Sequence, residues 1–186
     1  MALTGRRLTL DEFLELPEES PGLEYLDGRV VRKVSPKAYH GSTQGTFVEK
    51  VNRFARPQRL AMAFPETRST FGGWSPVPDV GVYKWANLPR RADGKILTDF
   101  QTPWDLAVEI VSPGQSRVDI EDKCRWYVAN GVDISLMIDP DREDVIRFGA
   151  DGTRVELRNE DRIDLDAVLP GFTLTPDELF SALYPD

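Results

Sequence analysis

The stretch Trp104-Asp105-Leu106-Ala107-Val108-Glu109-Ile110-Val111-Ser112-Pro113 decides how the rest of this chain is read. From Trp104 to Val111 it is apolar except at Asp105 and Glu109, which is the pattern of a central strand covered on both faces. Ser112-Pro113-Gly114 ends it. A carboxylate inside such a strand is costly to bury unless it is paired or holds a cation. Glu109 is therefore the first residue whose presence asks for a function.

Downstream, residues 117–130 predict a helix with Ile120, Cys124, Tyr127 and Val128 as its apolar stripe, Lys123 beside the stripe and Gly131 as the C-terminal cap. Tyr127 reads as a core residue. Residues 134–138 predict a second buried strand, closed by Asp139-Pro140, and 145–148 with 153–157 predict a meander around Asp151-Gly152. The tail to Phe180 reads as loop and short helix.

Upstream, 77–83 predicts another strand with Pro78 at its start, and 60–71 a strand kinked at Pro65 ahead of the Gly72-Gly73 turn. The polar segment 84–103 between strands reads as a surface loop, a candidate lid or substrate-facing insertion. Phe47, Val48, Val51 and Phe54 give 42–56 a helical stripe that ends before Pro57, with His40 near its start. Asp27-Gly28, set between apolar residues, signals a hairpin over 24–31. Thr9 and Glu12 have the spacing of a capping box that opens a short N-terminal helix ending at Pro17.

The chain has 186 residues, 40% hydrophobic and 29% charged, which predicts one α/β domain over 1–186. No apolar run approaches the roughly 18 residues of a membrane span. Met1 to Thr9 lacks the apolar stretch of a signal peptide, so the expected location is cytoplasmic, with no membrane partner. One cysteine and one histidine exclude an internal disulfide and the usual zinc clusters, so any metal must sit mainly on oxygen ligands. The net charge of −8 argues against binding nucleic acid by global electrostatics. Locally, Lys50, Arg53, Arg56 and Arg59 recur every third residue, either as a solvated face or as a phosphate contact.

Asp79 falls near the start of one predicted strand and Glu109 near the end of the next, so in adjacent strands their carboxylates come within reach of one ion. Magnesium prefers few carboxylates together with waters and phosphate oxygens, and Asp79, Glu109 and the Ile110 carbonyl would suffice. A structural reading stands beside this one: Asp79 caps a turn, Glu109 pairs with an Arg or Lys, and Lys123 lies along the core with its amine in solvent. His40 fits a proton carrier or phosphate contact, and equally a hydrogen-bonding residue at a helix start.

The ordered set Glu24-Tyr25-Leu26-Asp27-Gly28, Ser35-Pro36 with His40, Pro78-Asp79, Glu109-Ile110-Val111-Ser112-Pro113, Lys123 with Tyr127, Gly131-Val132 and Ile138-Asp139-Pro140 resembles the Uma-type restriction endonucleases of the PD-(D/E)XK superfamily. The resemblance runs from about Leu10 to Phe180. It implies a restriction-endonuclease-like mixed β-sheet flanked by helices, with Asp79 and Glu109 as metal ligands, Mg or else Mn as the cofactor, and nucleic acid, foremost DNA, as the partner. It also implies a departure, because the superfamily's lysine lies two residues after the acid and Val111 stands there. Lys123 from the following helix would supply the amine, and Glu24 would be an auxiliary acid near the metal or simply an exposed hairpin carboxylate. The expected activity is Mg-dependent hydrolysis of phosphodiesters. The alternative is a noncatalytic nucleic-acid- or protein-binding domain on the same scaffold. A homodimer is expected from the prevalence of symmetric oligomers.

Overall fold

The structure, a computed structural model, describes residues 7–17, 19 and 21–184. The reading of Met1 to Thr9 and the outer limits of the 1–186 domain therefore lie partly outside the described residues. The chain runs α1 (Leu10–Leu14), β1 (Leu23–Leu26), β2 (Arg29–Arg32), α2 (Ala38–Ala55), β3 (Ala61–Pro65), β4 (Val80–Lys84), β5 (Leu106–Ile110), α3 (Arg117–Ala129), β6 (Ile134–Asp139), β7 (Asp144–Gly149), β8 (Arg154–Arg158) and α4 (Pro176–Phe180), followed by a 3-10 turn (Ser181–Leu183). No described helix is long and apolar enough to cross a membrane.

Strands β3 to β8 form one six-stranded sheet in sequence order, and the β1–β2 hairpin stands apart from it. The sheet is mixed: β5 and β6 are parallel, joined by the crossover helix α3, and every other neighbouring pair is antiparallel. Side-chain alternation then divides the core. Val80, Val82, Leu106, Val108, Ile110, Leu136 and Ile138 pack with Phe47 and Val51 of α2 and Leu179 of α4 on one face. Tyr83, Ala107, Trp104 and Tyr127, and then Cys124, Met137 and Ile146, fill the face under α3. Gly81 is required there, since a Cβ would come within 2.4 Å of the Trp104 ring.

The hairpin turns at Asp27 and Gly28, both at positive φ, as an Asp-Gly pair allows. Three of the boundaries that differ from the sequence reading bear on the site. Helix α2 begins at Ala38, because its N-cap Lys37 makes no side-chain capping bond and gives no start signal. Strand β3 stops at Pro65, whose successor Glu66 turns to φ 46°, and residues beyond it form only the isolated bridges Ser69 with Phe100 and Phe71 with Trp74. Strand β4 begins at Val80, so Asp79 lies just ahead of it.

Segment 84–103 does not cover the acids. It joins the end of β4 to the start of β5, at the end of the sheet away from Asp79 and Glu109, and none of its residues lines their cleft. Its Phe100 is buried edge-on against Tyr83 and Trp104, with centroids 5.2 Å away in each case. One aromatic anchor thus pins a loop that reads as polar overall, and its residues 98–101 line a surface pocket with Glu66 and Val77.

Candidate active site

The two acids share a face because of the register. Val80 pairs with Val108 and Gly81 with Ala107, so one further step sets Asp79 opposite Glu109, and alternation turns both toward α3. The backbone N–H of Ile110 donates to Asp79 Oδ2 at 2.6 Å. Both acids are buried.

Helix α3 supplies the groups above Glu109. Its sheet-facing positions are Ile120, Lys123, Cys124 and Tyr127, spaced i, i+3, i+4, i+7. Lys123 thus belongs to the buried stripe rather than beside it. Its Nζ lies 2.9 Å from Glu109 Oε1 and donates to Glu24 Oε1 at 2.7 Å. The Tyr127 hydroxyl donates to the same Glu109 Oε1 at 2.8 Å. Glu109 Oε2 makes no hydrogen bond among the described residues. Glu24 is buried, not an exposed hairpin acid, and also accepts the Val77 N–H at 2.6 Å.

On the other side of Asp79, Lys33 at the end of the hairpin donates to Asp79 Oδ1 at 2.7 Å, Glu66 Oε2 at 2.7 Å and the Val77 carbonyl at 2.9 Å. His40, in the first turn of α2, bonds Ser112 Oγ through Nδ1 at 2.9 Å. Its Nε2 is buried without a hydrogen bond, 3.5 Å from Asp79 Oδ1. Glu24, Lys33, His40, Asp79, Glu109 and Lys123 all line one cleft of about 290 Å³.

Burial pushes the Glu109 carboxyl up from 4.5 to about 7, against the pull of Lys123 and with help from Asp79 and Glu24. Burial acts the same way on Asp79, but Lys33 and His40 overcome it and hold that carboxyl well below the usual range. Both lysines stay protonated: burial disfavours their charge, and the surrounding acids outweigh it. His40 is raised above 6.5, since the Asp79 carboxylate outweighs the effect of burial.

Glu24, His40, Asp79, Glu109 and Lys123, singled out in the sequence, therefore meet in one place. Ile110 meets them through its N–H, which binds Asp79, while the sequence reading had used its carbonyl. The basic run does not: Lys50 and Arg53 lie toward the far end of α2, about 15 to 20 Å along the helix axis from His40, and Arg56 and Arg59 follow its end. Sequence reasoning missed Lys33, Glu66 and the role of Tyr127 as a partner of Glu109. A lysine at a hairpin end and a glutamate after a proline carry no periodic signal, and Tyr127 falls on the apolar stripe, where core packing explains it equally well.

The donor set fits a divalent cation. Asp79 and Glu109 offer carboxylate oxygens at the cleft, and His40 Nε2, which makes no hydrogen bond, faces Asp79 at 3.5 Å. Glu109 is held apart from the tightest cluster, however. Among the described residues the group whose ligand atoms all lie within 4.8 Å of one another is His40, Glu66 and Asp79.

A mixed sheet with a buried Asp, Glu and Lys converging at one end of its inner strands defines a nuclease-like α/β fold. The sequence profile of the Uma2 family, described as "Putative restriction endonuclease", matches residues 10–177, and the chain belongs to that family. A crystal structure from Anabaena variabilis ATCC 29413, titled as a "putative nuclease belonging to DUF820", is similar at 33% identity with a TM-score of 0.91, covering 95% of this chain and 99% of that one. A comparison with curated proteins gives no match.

Proposed function

We propose that the protein is a metal-dependent endonuclease that hydrolyses nucleic-acid phosphodiester bonds, DNA in the first instance, with Asp79 and Glu109 as cation ligands. The observation that carries this reading is the meeting of two buried carboxylates and a buried ammonium from three separate stretches of chain in one open cleft. A divalent cation bound there supplies Lewis acidity toward the phosphate and an acidified water. Magnesium suits the oxygen ligands, and manganese accepts the same set.

The chain's own groups divide the remaining work. Asp79 is kept ionised by Lys33 and oriented by the Ile110 N–H, so its charge and direction are set before any ligand arrives. Glu109 titrates at about 7 and so is half ionised near neutrality, and Tyr127 fixes one of its oxygens while the other remains available. Lys123 orients the attacking water or offsets charge growing on the phosphate oxygens, and Glu24 holds the ammonium in place. The Ile110 carbonyl completes the ligand set, and His40 contacts phosphate or carries a proton. Pairing into a homodimer would let two such sites act on two strands.

An assay on supercoiled DNA and on RNA tests this, with magnesium, with manganese and with chelator. Metal-dependent cleavage that disappears in Lys123→Ala supports it. No cleavage of any substrate, or cleavage that persists in the variant, favours a noncatalytic domain, the reading to which the net charge of −8 lends weight.

A further inference from the structure

We infer that His40 Nε2, Asp79 and Glu66 form a second cation site, separate from Glu109, which takes a borderline divalent ion of the zinc or manganese kind in preference to magnesium. The three ligand atoms lie within 4.8 Å of one another. The independent observation is His40 itself: it is 6% exposed, its Nε2 has no hydrogen bond, and that atom faces Asp79 Oδ1 at 3.5 Å. A buried nitrogen without a hydrogen bond, met only by a carboxylate at 3.5 Å, is open to a cation that would satisfy the nitrogen and the acid together.

The surroundings are built as those of a metal-binding histidine are. His40 Nδ1 lies 2.9 Å from Ser112 Oγ, which holds the ring in one orientation, and in the tautomer whose Nδ1–H donates to that oxygen the lone pair falls on Nε2. Gln44, one helical turn beyond His40, donates to Glu66 Oε1 at 3.1 Å and to the Asp79 carbonyl at 2.7 Å, fixing the exposed acid beside the buried one. One nitrogen and two carboxylate oxygens suit zinc or manganese, whereas magnesium favours oxygen alone.

Lys33 explains how the acids are balanced in the cation-free protein. Its ammonium bridges Glu66 Oε2 and Asp79 Oδ1 at 2.7 Å each, at the position where the ion's charge would act. Glu66 opens onto a surface pocket it shares with Lys33 and Gln44, which gives an ion its route in. The ion enters as the lysine swings out.

The inference shares Asp79 with the function proposed above but does not require catalysis. His40 is the chain's only histidine, so a single imidazole reports the site without ambiguity. Protein labelled with 15N-histidine is titrated with zinc chloride at pH 8 and followed through the ring nitrogens. The Nε2 resonance is expected to move to the position of a metal-bound nitrogen and to saturate at one equivalent of zinc, whereas magnesium, which would act on it only through Asp79, is expected to leave it outside that range. Glu66→Gln should weaken the apparent affinity about tenfold or more, while Lys33→Met should tighten it about tenfold by removing the competing ammonium. Glu109→Gln, which removes a ligand of the proposed hydrolytic site, should leave the zinc response of His40 intact. A ring unmoved by saturating zinc, or a response indifferent to Glu66→Gln, overturns the site. Weaker binding in Lys33→Met overturns the exchange. Protein that cleaves nothing yet shows zinc on Nε2 sinks the nuclease reading and leaves this one standing.

Discussion

Asp79 is tied to the strand that carries Glu109: the N–H of Ile110, the residue after that acid, donates to Asp79 Oδ2 at 2.6 Å, while Lys33 holds the other oxygen. One carboxylate therefore joins the two strands and the hairpin, and its charge belongs to the folded structure as much as to any ligand. Asp79→Asn keeps the shape and removes the charge. It should cost about 3 kcal/mol at pH 7, the usual scale for breaking a buried pair. The folded carboxyl titrates below its ordinary 3.8, so its contribution is complete above that value and fades as pH falls beneath it. Urea unfolding at pH 7 and pH 3 should show the penalty shrinking with acid, and a penalty of equal size at both would contradict the ion pair.

Glu109 titrates in the opposite sense. Its carboxyl rises from 4.5 to about 7 on folding, so the native state binds this proton more tightly than the unfolded chain. Stability is therefore lost as pH climbs from 4.5 to 7, and the loss is complete above that window. Gln mimics the protonated acid and carries no such cost. Relative to wild type, Glu109→Gln should gain about 3 kcal/mol across the window, read as the difference between denaturation curves at pH 4.5 and pH 8. A flat difference would mean that Lys123 fully neutralises the acid.

Tyr127 favours the ionised form of Glu109 through its 2.8 Å hydrogen bond. Tyr127→Phe should push the carboxyl higher still, moving the acid limb of the cleavage pH profile upward and costing about 1 kcal/mol of stability. An acid limb that stays in place, or moves down, would show that Glu109 does not set it.

Lys123 stands between Glu24 and Glu109 at 2.7 and 2.9 Å. Lys123→Met should lower single-turnover cleavage by about a hundredfold or more. Lys123→Arg should not restore it, because a planar guanidinium cannot take the place of a compact ammonium in a buried slot. Full activity in either variant would move the catalytic amine elsewhere, with Lys33 the nearest candidate.

Much of this arrangement was legible in the residues. The apolar run around Glu109, the Asp-Gly turn and the capping box of Thr9 and Glu12 fix a strand, a hairpin and a helix start, and all three stand in the structure. The convergence of Asp79 with Glu109 followed from their places at the start of one strand and the end of the next. The cations that balance them were less visible. Lys33 reaches 46 positions along the chain to Asp79, and Lys123 reaches 99 positions to Glu24, and no local periodicity encodes such pairs. Phe100 escaped for the same reason, since an anchor inside a polar loop is recognised only through the aromatic pocket that receives it.

The central claim is that Asp79 and Glu109 hold one divalent cation between them. Calorimetric titration with magnesium at pH 8, where Glu109 is ionised, tests it most directly. Wild type should bind with saturable heat at one equivalent, and folded Asp79→Asn and Glu109→Gln proteins should give none. An unchanged isotherm in both variants would contradict the account.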